Sequence, residues 1–356
     1  MSAERRLVAA LTFAGCDYGS VARRPGEVSL HAGYYRDNDG VEVVQPAVRA
    51  RVPVARAVQL YGSYSVDAIS AASVDVVASA SRVVEQRHEA RGGVDLTLPS
   101  RVVAGASYRA SREPDYASDG VALFVSHENA ARSRTVRIEA SGRSDRVGPG
   151  WTLLNAQPFH AVALSASVTQ VLDRSSLLRV SAHADAGIGT HWSPYRYVLM
   201  ADALFAERTP ELRARGAASL RYQRAVAPTV ALFAEYEGTA DQWGVCVQSA
   251  TVGGRWEAAP WLLLEGRFLA AYRTAAYFYE PSYGSAQVYR TRDRTLVEGA
   301  TLWPQVSARV GLPGWPASPR WEVGASVGAL WQSYERYPWL SERVALVTDL
   351  WARRFF

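Results

Sequence analysis

The chain has 356 residues, of which 48% are hydrophobic and 21% are charged, and its formal net charge is +5. Its mean hydropathy is -0.11, and no stretch approaches the roughly 20 uninterrupted apolar residues of a membrane-spanning helix, which excludes a helical transporter. The chain contains no lysine, and its arginines are spread rather than clustered, so nucleic acid is not an expected partner. Cys16 and Cys246 are too few for a disulfide framework and show no zinc-site spacing.

The first 20 residues resemble an export leader. The segment MSAERRLVAALTFAGC places two arginines before a short apolar run and ends on Cys16. This arrangement is typical of a lipoprotein signal, in which Cys16 is lipidated, while a start codon misplaced inside a longer secretory signal is the alternative. We therefore assign residues 1–20 to export and residues 27–356 to the folded domain.

From Glu27 onward the dominant sequence period is two, with apolar residues alternating with polar or small ones. Val58, Leu60 and Tyr64 share one face of such a segment, for example. This alternation is typical of strands with one apolar face. It predicts sixteen strands, at 27–36, 41–53, 57–67, 84–98, 101–111, 119–128, 133–143, 160–172, 176–188, 211–224, 228–239, 244–257, 261–273, 304–312, 319–333 and 342–356.

The predicted connections alternate between short and long. Short links such as 54–56, 173–175 and 225–227 are separated by longer ones rich in aromatic or acidic residues. Short periplasmic turns opposite long extracellular loops are typical of outer-membrane barrels. The sequence therefore predicts an all-β fold, a single transmembrane up-and-down antiparallel β-barrel of about 16 strands (14–18). Its long extracellular loops are predicted at 68–83, 144–159, 189–210 and 274–303.

The last strand has the features of a barrel sorting signal. It alternates in hydropathy and ends on Phe356, although Arg354 departs from the apolar pattern. Because a membrane barrel leaves no free edge, we expect this strand to pair with residues 27–36 and close the barrel. Aromatic residues near strand ends predict the girdles found at membrane interfaces. They are Tyr34, Tyr35, Trp256, Trp261, Trp321, Trp331 and Trp351.

If the apolar face contacts lipid, the polar face lines the lumen. This reasoning assigns Glu85, Arg87, Glu89 and Arg91 to the lumen. It also assigns the basic and acidic residues of later strands, namely Arg109, Arg137, Arg179, Arg213, Arg215, Arg221, Arg267, Arg309, Asp95, Glu139, Asp185, Glu235, Glu265 and Glu322. The two signs nearly balance, so cross-strand ion pairs are the default expectation. A lining that selects polar solutes is the functional alternative.

Residues 64–89 are unusual in setting Asp67 and Asp75 among many serines. Carboxylates and hydroxyls suit a hard cation such as calcium, so Asp67 and Asp75 are weak metal candidates, although their spacing matches no EF-hand. A loop that packs inward through its serines is the simpler interpretation. Asp67, His88 and the serines also leave a hydrolase open, but no G-x-S-x-G nucleophile elbow is present.

The order of several short segments resembles a known family. VDAISAASVDVVASAS is followed by EQRHE, and then come PYRYV at 194–198, ERTPELR at 207–213, ADQWGV at 240–245 and YFYEPSY at 277–283. Together they are similar to an uncharacterised family of Gram-negative proteins, predicted to be outer-membrane β-barrels, with a VDA-(I/V)-S-x-AS-x-D signature. The resemblance implies a barrel fold and no established activity or ligand.

Most of these segments fall in the long connections 68–83, 189–210, 238–243 and 274–303. The topology opens all four on one side, so we expect them to pack as a cap or an inward-folded constriction. The polar mouth would be lined by Asp67, Asp75, Arg196, Arg213, Asp241, Trp243, Tyr279 and Glu280. The alternative is that these residues only order the loops against one another.

The sequence thus predicts an integral protein of the Gram-negative outer membrane rather than an enzyme. The first hypothesis is a porin-like channel or binding conduit for a small polar or charged solute. The second is a non-conducting barrel scaffold for a periplasmic or surface partner, such as a redox or lipoprotein component, and the third is an outer-membrane hydrolase. The expected partners are the outer-membrane lipid bilayer, the barrel-assembly machinery and either a small polar solute or a periplasmic protein. No cofactor is expected.

Overall fold

The computed structural model describes residues 25–71, 83–148, 152–193, 196–200, 203–284, 287–312 and 321–356. Cys16 and Asp75, the lipidation and metal candidates, lie outside these residues, as does most of the predicted loop 68–83. No helix in the described ranges has the length and hydropathy needed to span a bilayer.

Strands account for most of the described chain. They are β1 (Glu27–Asp37), β2 (Val41–Pro53), β3 (Val58–Ala71), β4 (Val83–Leu98), β5 (Val102–Arg112), β6 (Tyr116–Glu128), β7 (Arg134–Val147), β8 (Gln157–Val171), β9 (Ser176–Gly189), β10 (Tyr197–Met200), β11 (Ala203–Ala206), β12 (Leu212–Ala227), β13 (Val230–Asp241), β14 (Cys246–Ala259), β15 (Leu262–Arg273), β16 (Gly299–Gly311), β17 (Trp321–Ser333) and β18 (Glu342–Phe355). Single 3-10 turns lie at Pro99–Arg101 and Arg294–Leu296.

Sixteen of these strands form one closed barrel, in which each strand pairs with its neighbours in sequence and β1 pairs with β18. Every pairing is antiparallel, and β10 and β11 form a separate hairpin within the connection between β9 and β12. The predicted all-β barrel of about 16 strands is therefore confirmed. Because the strand number is even, residue 27 and Phe355 lie at the same end, here called the short-turn rim. The opposite end is the long-loop rim.

The strands extend further toward the long-loop rim than the hydropathy pattern predicts. β3 continues to Ala71 instead of 67, β7 continues to Val147 instead of 143, and β16 begins at Gly299 instead of 304. In these segments large apolar residues such as Ile69 and Trp303 occupy inward positions, so the period-two signal fades while the backbone ladder continues. The β10–β11 hairpin was not predicted, because YVLM and ALFA are too short and too uniformly apolar to alternate.

The outer wall is apolar and exposed, the reverse of a water-soluble sheet. Leu123, Val162 and Val306 are 61%, 64% and 60% exposed and lie on outward faces. Trp256, Trp261 and Trp321 are also exposed on this wall near the short-turn rim, as expected for an interfacial girdle. An exposed apolar wall of this kind is typical of a barrel whose solvent is lipid.

The girdle prediction is wrong for two residues, Tyr35 and Trp351. Tyr35 is 3% exposed and packs inside the barrel with Trp303 and Leu330. Trp351 also points inward, where its ring covers Gly324 of β17. Each lies one residue out of step with the apolar outward positions of its strand, so proximity to a strand end alone was a poor guide to its face.

The last strand closes the barrel as predicted. β1 and β18 pair from Glu27 opposite Phe355 to Asp37 opposite Ala345, and the backbone N–H of Phe356 donates to the carbonyl of Gly26 at 2.9 Å. Arg354, which breaks the apolar pattern, lies on the outward face with its guanidinium 5.5 Å from the ring centroid of Trp321. A cation stacked on a girdle tryptophan is compatible with the membrane interface, where the charged head reaches water.

A three-strand sandwich recurs on the inner wall. In each copy an aromatic ring lies flat over a glycine of one neighbouring strand, and an arginine from the other neighbour stacks over the ring. The three copies are Gly105–Phe124–Arg137, Gly187–Phe159–Arg143 and Gly253–Phe233–Arg221. In a related contact Arg267 stacks over Trp303. The glycine removes the side chain that would push the ring into the lumen. Because the rings lie flat against the inner wall, they project little into the lumen, and the arginines stacked on them are held in fixed positions.

The sandwich makes a stability prediction for Gly253. A methyl group at this position would collide with the Phe233 ring and lie 2.7 Å from the carbonyl oxygen of Gly266. We expect Gly253→Ala to lower the free energy of unfolding by about 1–3 kcal/mol through overpacking. Unfolding midpoints in denaturant, followed by the gel shift between folded and unfolded barrel, measure the change.

Gly33→Ala is the matched control. A methyl group there meets its nearest atom, Cβ of Gln45, at an ordinary 3.6 Å. It should change the free energy of unfolding by less than about 0.5 kcal/mol. Equal midpoints for the two variants would contradict the sandwich.

Candidate functional site in the lumen and its cap

The inner wall of β2–β5 is held by cross-strand polar contacts. Asp67 forms an ion pair with Arg87 and accepts a hydrogen bond of 2.5 Å from Nε2 of Gln45. Arg109 donates to Oε2 of Glu89 at 2.9 Å and to the hydroxyl of Ser118 at 3.2 Å. The carboxylate oxygens of Asp67 therefore contact the side chains of Gln45 and Arg87. No group of three or more His, Cys, Asp or Glu residues suited to a metal occurs among the described residues.

Further ion pairs continue around the wall. Arg137 lies 2.6 Å from Glu139, and both Nε and Nη2 of Arg215 donate to Asp185. The remaining pairs are Arg143–Asp145, Arg221–Glu235, Arg255–Glu265 and Arg309–Glu322. Arg137–Glu139 and Arg143–Asp145 are pairs within β7, whereas the others join neighbouring strands. Both kinds of pair offset the cost of placing charges where water is limited.

A cavity of 330 Å³ opens between these pairs. It is lined by strands β4–β9 and β12. Its charged and titratable lining residues are Arg91, Arg109, Arg143, Arg215, Glu139, Asp185 and His183. Between them lie small residues, among them Ser107, Ala122, Ser141 and Ala163. Small side chains between long charged ones leave space for a polar molecule.

A cap lies at the long-loop rim. We define it as the described residues of the connections 190–211, 242–245, 274–298 and 334–341. Its two longest segments are paired by backbone hydrogen bonds in both directions between Arg208 and Arg290, at 3.0 and 2.8 Å, and by a bridge between Met200 and Tyr283. Tyr279 then donates to the carbonyl of Arg336 at 2.8 Å, so three segments are joined.

A buried ionic latch lies inside the cap. Glu207 is 3% exposed and accepts hydrogen bonds from the Thr291 hydroxyl at 2.9 Å and the Arg292 backbone N–H at 2.6 Å. Arg196 lies 3.9 Å from Glu207 and 2.7 Å from Asp293. Desolvation by burial raises the pKa of Glu207, and the charge of Arg196 opposes this shift. The latch therefore ties the hairpin segment to residues 291–293.

A row of aromatic rings joins the cap to the barrel wall. Phe159 of β8 contacts His191 at 4.9 Å between ring centroids, His191 contacts Trp243 at 5.2 Å, and Trp243 contacts Phe278 at 5.3 Å. All three pairs are edge-to-face, the favoured geometry for aromatic pairs. Trp243 is 2% exposed and belongs to a buried apolar cluster with Phe278 and Tyr279.

The ADQWGV segment is a tight turn organised by one carboxylate. Oδ1 of Asp241 accepts from the backbone N–H groups of Trp243 and Val245, both at 2.9 Å, and the other oxygen pairs with Arg213. Gly244 has a φ of +84°, which glycine adopts without strain. Arg213 stacks over Trp243 with its guanidinium 4.4 Å from the ring centroid. These contacts give the segment an ordering role at the base of the cap.

The predicted mouth residues fall into separate groups rather than one cluster. Asp67 lies on the wall with Arg87, whereas Arg213, Asp241 and Trp243 form the base of the cap. Arg196 and Tyr279 lie within the cap, and Glu280 is exposed on it. Glu89 and Arg91 face the lumen beside the cavity, while for Glu85 only the backbone is described, opposite Ile69.

Sequence reasoning missed the latch and the sandwiches. Glu207 and Asp293 lie 86 positions apart in the chain, and no sequence pattern around either residue indicates an ion pair. The ERTPELR segment, which begins at Glu207, was noted only for its family resemblance. The glycines of the sandwiches look like ordinary small residues of a strand. Only the register of neighbouring strands brings them beneath aromatic rings.

Residues 80–298 of the chain match the family model of a protein of unknown function (DUF3570). The chain belongs to this family. The matched range runs from β4 to the end of the longest cap segment, so it contains the cavity and the latch. The VDA signature segment, at 66–75, lies outside the family match. No curated protein matches the chain.

Solved structures resemble the barrel at low sequence identity. A bacterial polysaccharide outer membrane secretin has a TM-score of 0.53 and 10% identity, with coverage of 94% of this chain and 99% of that one. CdiB from Acinetobacter baumannii has a TM-score of 0.54 and 10% identity, covering 93% and 60%. The siderophore receptor PirA from Pseudomonas aeruginosa has a TM-score of 0.49 and 12% identity, and the chain spans 58% of its length. The similarities to the secretin and to CdiB show the fold alone.

The latch predicts a pH-dependent cap. Because burial raises the folded-state pKa of Glu207 above its unfolded value, its favourable contribution is present at low pH and is lost as pH rises toward the folded pKa. Glu207→Gln stays neutral and keeps an acceptor for Thr291. Relative to Glu207→Gln, the wild type should be digested by thermolysin progressively faster as the pH is raised from about 5 to about 8.

Each pair is compared at the same pH, so the protease's own pH dependence cancels. Glu207→Ala removes the acceptor and should be digested faster than both at every pH. A wild type that becomes relatively more resistant as pH rises would show that Glu207 is stabilised as the ion, contrary to the prediction.

Proposed function

We propose that the protein is an integral outer-membrane barrel that serves as a conduit or binding passage for a small polar or charged solute. The observation that carries the proposal is the charged cavity of 330 Å³ inside the barrel. A barrel of 16 strands is wide enough to leave an aqueous channel. The exposed apolar wall supports a lipid bilayer as its surroundings.

The position of the cap is compatible with passage. The cap segments rise from β9 and from β12–β18, on one part of the circumference. The cavity is lined by β4–β9 and β12, so it lies mostly beside the strands that carry the cap. A solute entering beside the cap would meet the charged wall of β4–β7 first.

A non-conducting scaffold for a periplasmic or surface partner is the second candidate. The packed cap favours it, because Val297 and Trp243 are 0% and 2% exposed and the loops present an ordered surface. Within the part of the chain that the structure describes, the hydrolase hypothesis has no geometric support. Asp67 faces the lumen against Arg87, whereas His88, one residue along β4, is exposed on the outer wall and hydrogen-bonded to Tyr64 at 2.7 Å.

Conductance in planar lipid bilayers tests the proposal. Each folded barrel that inserts into the bilayer should produce a discrete step of ionic current, because the charged lumen is hydrated. The same preparation after boiling, shown by gel migration to be unfolded, serves as the control. Folded barrels that insert without conducting would overturn the conduit and favour the scaffold.

A further inference from the structure

Five arginines lie on one continuous row of the inner wall. They are Arg49, Arg91, Arg109, Arg143 and Arg213. Following the backbone pairs from β2 to β12, the row passes through these arginines, and the positions between them are the small residues Ser63, Gly120, Ala161 and Gly187. Nine neighbouring strands therefore contribute no carboxylate to this row.

Arg91 and Arg109 stand directly opposite each other on β4 and β5. Like charges in this cross-strand position destabilise a sheet unless counter-charges are supplied. Arg109 has one, because it pairs with Glu89 at 2.9 Å. Arg143 and Arg213 likewise pair with Asp145 and Asp241.

Arg91 has no such partner. Its described contact is a hydrogen bond of 3.1 Å from Nη2 to the hydroxyl of Ser107, and no acidic side chain of the described residues lies within ion-pair distance. The side chain is exposed within the lumen and lines the cavity. The acids that also line the cavity, Glu139 and Asp185, are engaged by Arg137 and Arg215. The positive charge left over in the cavity is that of Arg91.

The carboxylates that pair with Arg109 and Arg143 lie on the opposite side of the row from the cavity. Glu89 and Asp145 are two residues nearer the long-loop rim than Arg91 and Arg143 on the same strands. Toward the short-turn rim, the adjacent row carries Ser107 and other small residues that border the cavity. The guanidinium groups are thus held from one side and open to the cavity on the other.

We propose that this cavity is a binding site for a small oxyanion, a phosphate or a carboxylate, with Arg91 as its principal ligand. The planar guanidinium matches two oxygens of such an anion, and Ser107 and Ser141 add hydroxyl donors at the same wall. Arg109 and Arg143 continue the positive row around the inner wall. The proposal rests on the conduit proposed above and specifies the class of solute it selects.

Two readouts test the site independently. The first is the anion-to-cation permeability ratio, taken from the reversal potential of single barrels in a salt gradient. The second is calorimetric titration of the detergent-solubilised barrel with inorganic phosphate, with succinate and, as the neutral comparison, with glucose. Phosphate and succinate arms distinguish the two sources of oxyanion chemistry.

Arg91→Gln removes the charge. It should lower the anion preference and weaken oxyanion binding about tenfold or more, because hydrogen bonds to charged groups are lost. Arg91→Lys keeps the charge without the planar fork, so it should keep the anion preference while binding phosphate less tightly than wild type. Arg146→Gln is the matched control, since Arg146 is exposed on the outward face of β7 and its loss changes net charge equally.

The two readouts separate the two proposals. A barrel that conducts without anion preference, and whose titrations show no oxyanion binding, overturns the site while the conduit stands. A closed barrel that binds oxyanion in an Arg91-dependent way overturns the conduit while the site stands. Equal losses in Arg91→Gln and Arg146→Gln would reduce the effect to net charge and overturn the site.

Discussion

The constraint on which the structure depends is the backbone's need for hydrogen-bond partners in surroundings that supply none. A sheet with an exposed apolar wall has no water to bond its edges, so it must close upon itself. The pairing of β1 with β18 meets this requirement, and the even strand number places both ends of the barrel sheet at one rim. Once the wall is closed, every second residue is forced inward, and the chemistry of the lumen follows from strand register.

Register explains how the charged part of the lumen wall stays ordered away from the apolar cluster of Tyr35, Trp303 and Leu330. Aromatic rings lie flat over glycines of one neighbouring strand and receive arginines from the other, as at Gly253, Phe233 and Arg221. The arginines are held by stacking as well as by carboxylates, so they cannot collapse freely into the centre. A wall built this way is rigid and highly charged, and it leaves a cavity where small residues replace long ones. The charge of Arg91 stands out in the cavity because the nearby Arg109 and Arg143 are paired with carboxylates.

The cap shows a second kind of order, built from loops rather than from the sheet. Glu207, Arg196 and Asp293 tie two long segments together, and the rings from Phe159 to Phe278 join them to the wall. This arrangement brings together sequence segments that lie far apart in the chain. ADQWGV and YFYEPSY meet in one buried cluster, where Trp243 packs against Phe278. A passage beside the cap and a scaffold beneath a partner both require such ordered loops.

The sequence by itself determined the barrel, because period-two hydropathy is a direct consequence of lipid outside and water inside. It predicted all sixteen barrel strands, the closing pair and the inward side of Arg87, Arg91 and Arg109. It placed Tyr35 and Trp351 in girdles, since the pattern near a strand end does not reveal the face. Three features followed only from the tertiary structure. They are the pairing of the charges, the position of glycines beneath aromatic rings, and the lack of a carboxylate partner for Arg91 in the cavity. Those facts depend on register between strands, and register relates residues that no local pattern connects.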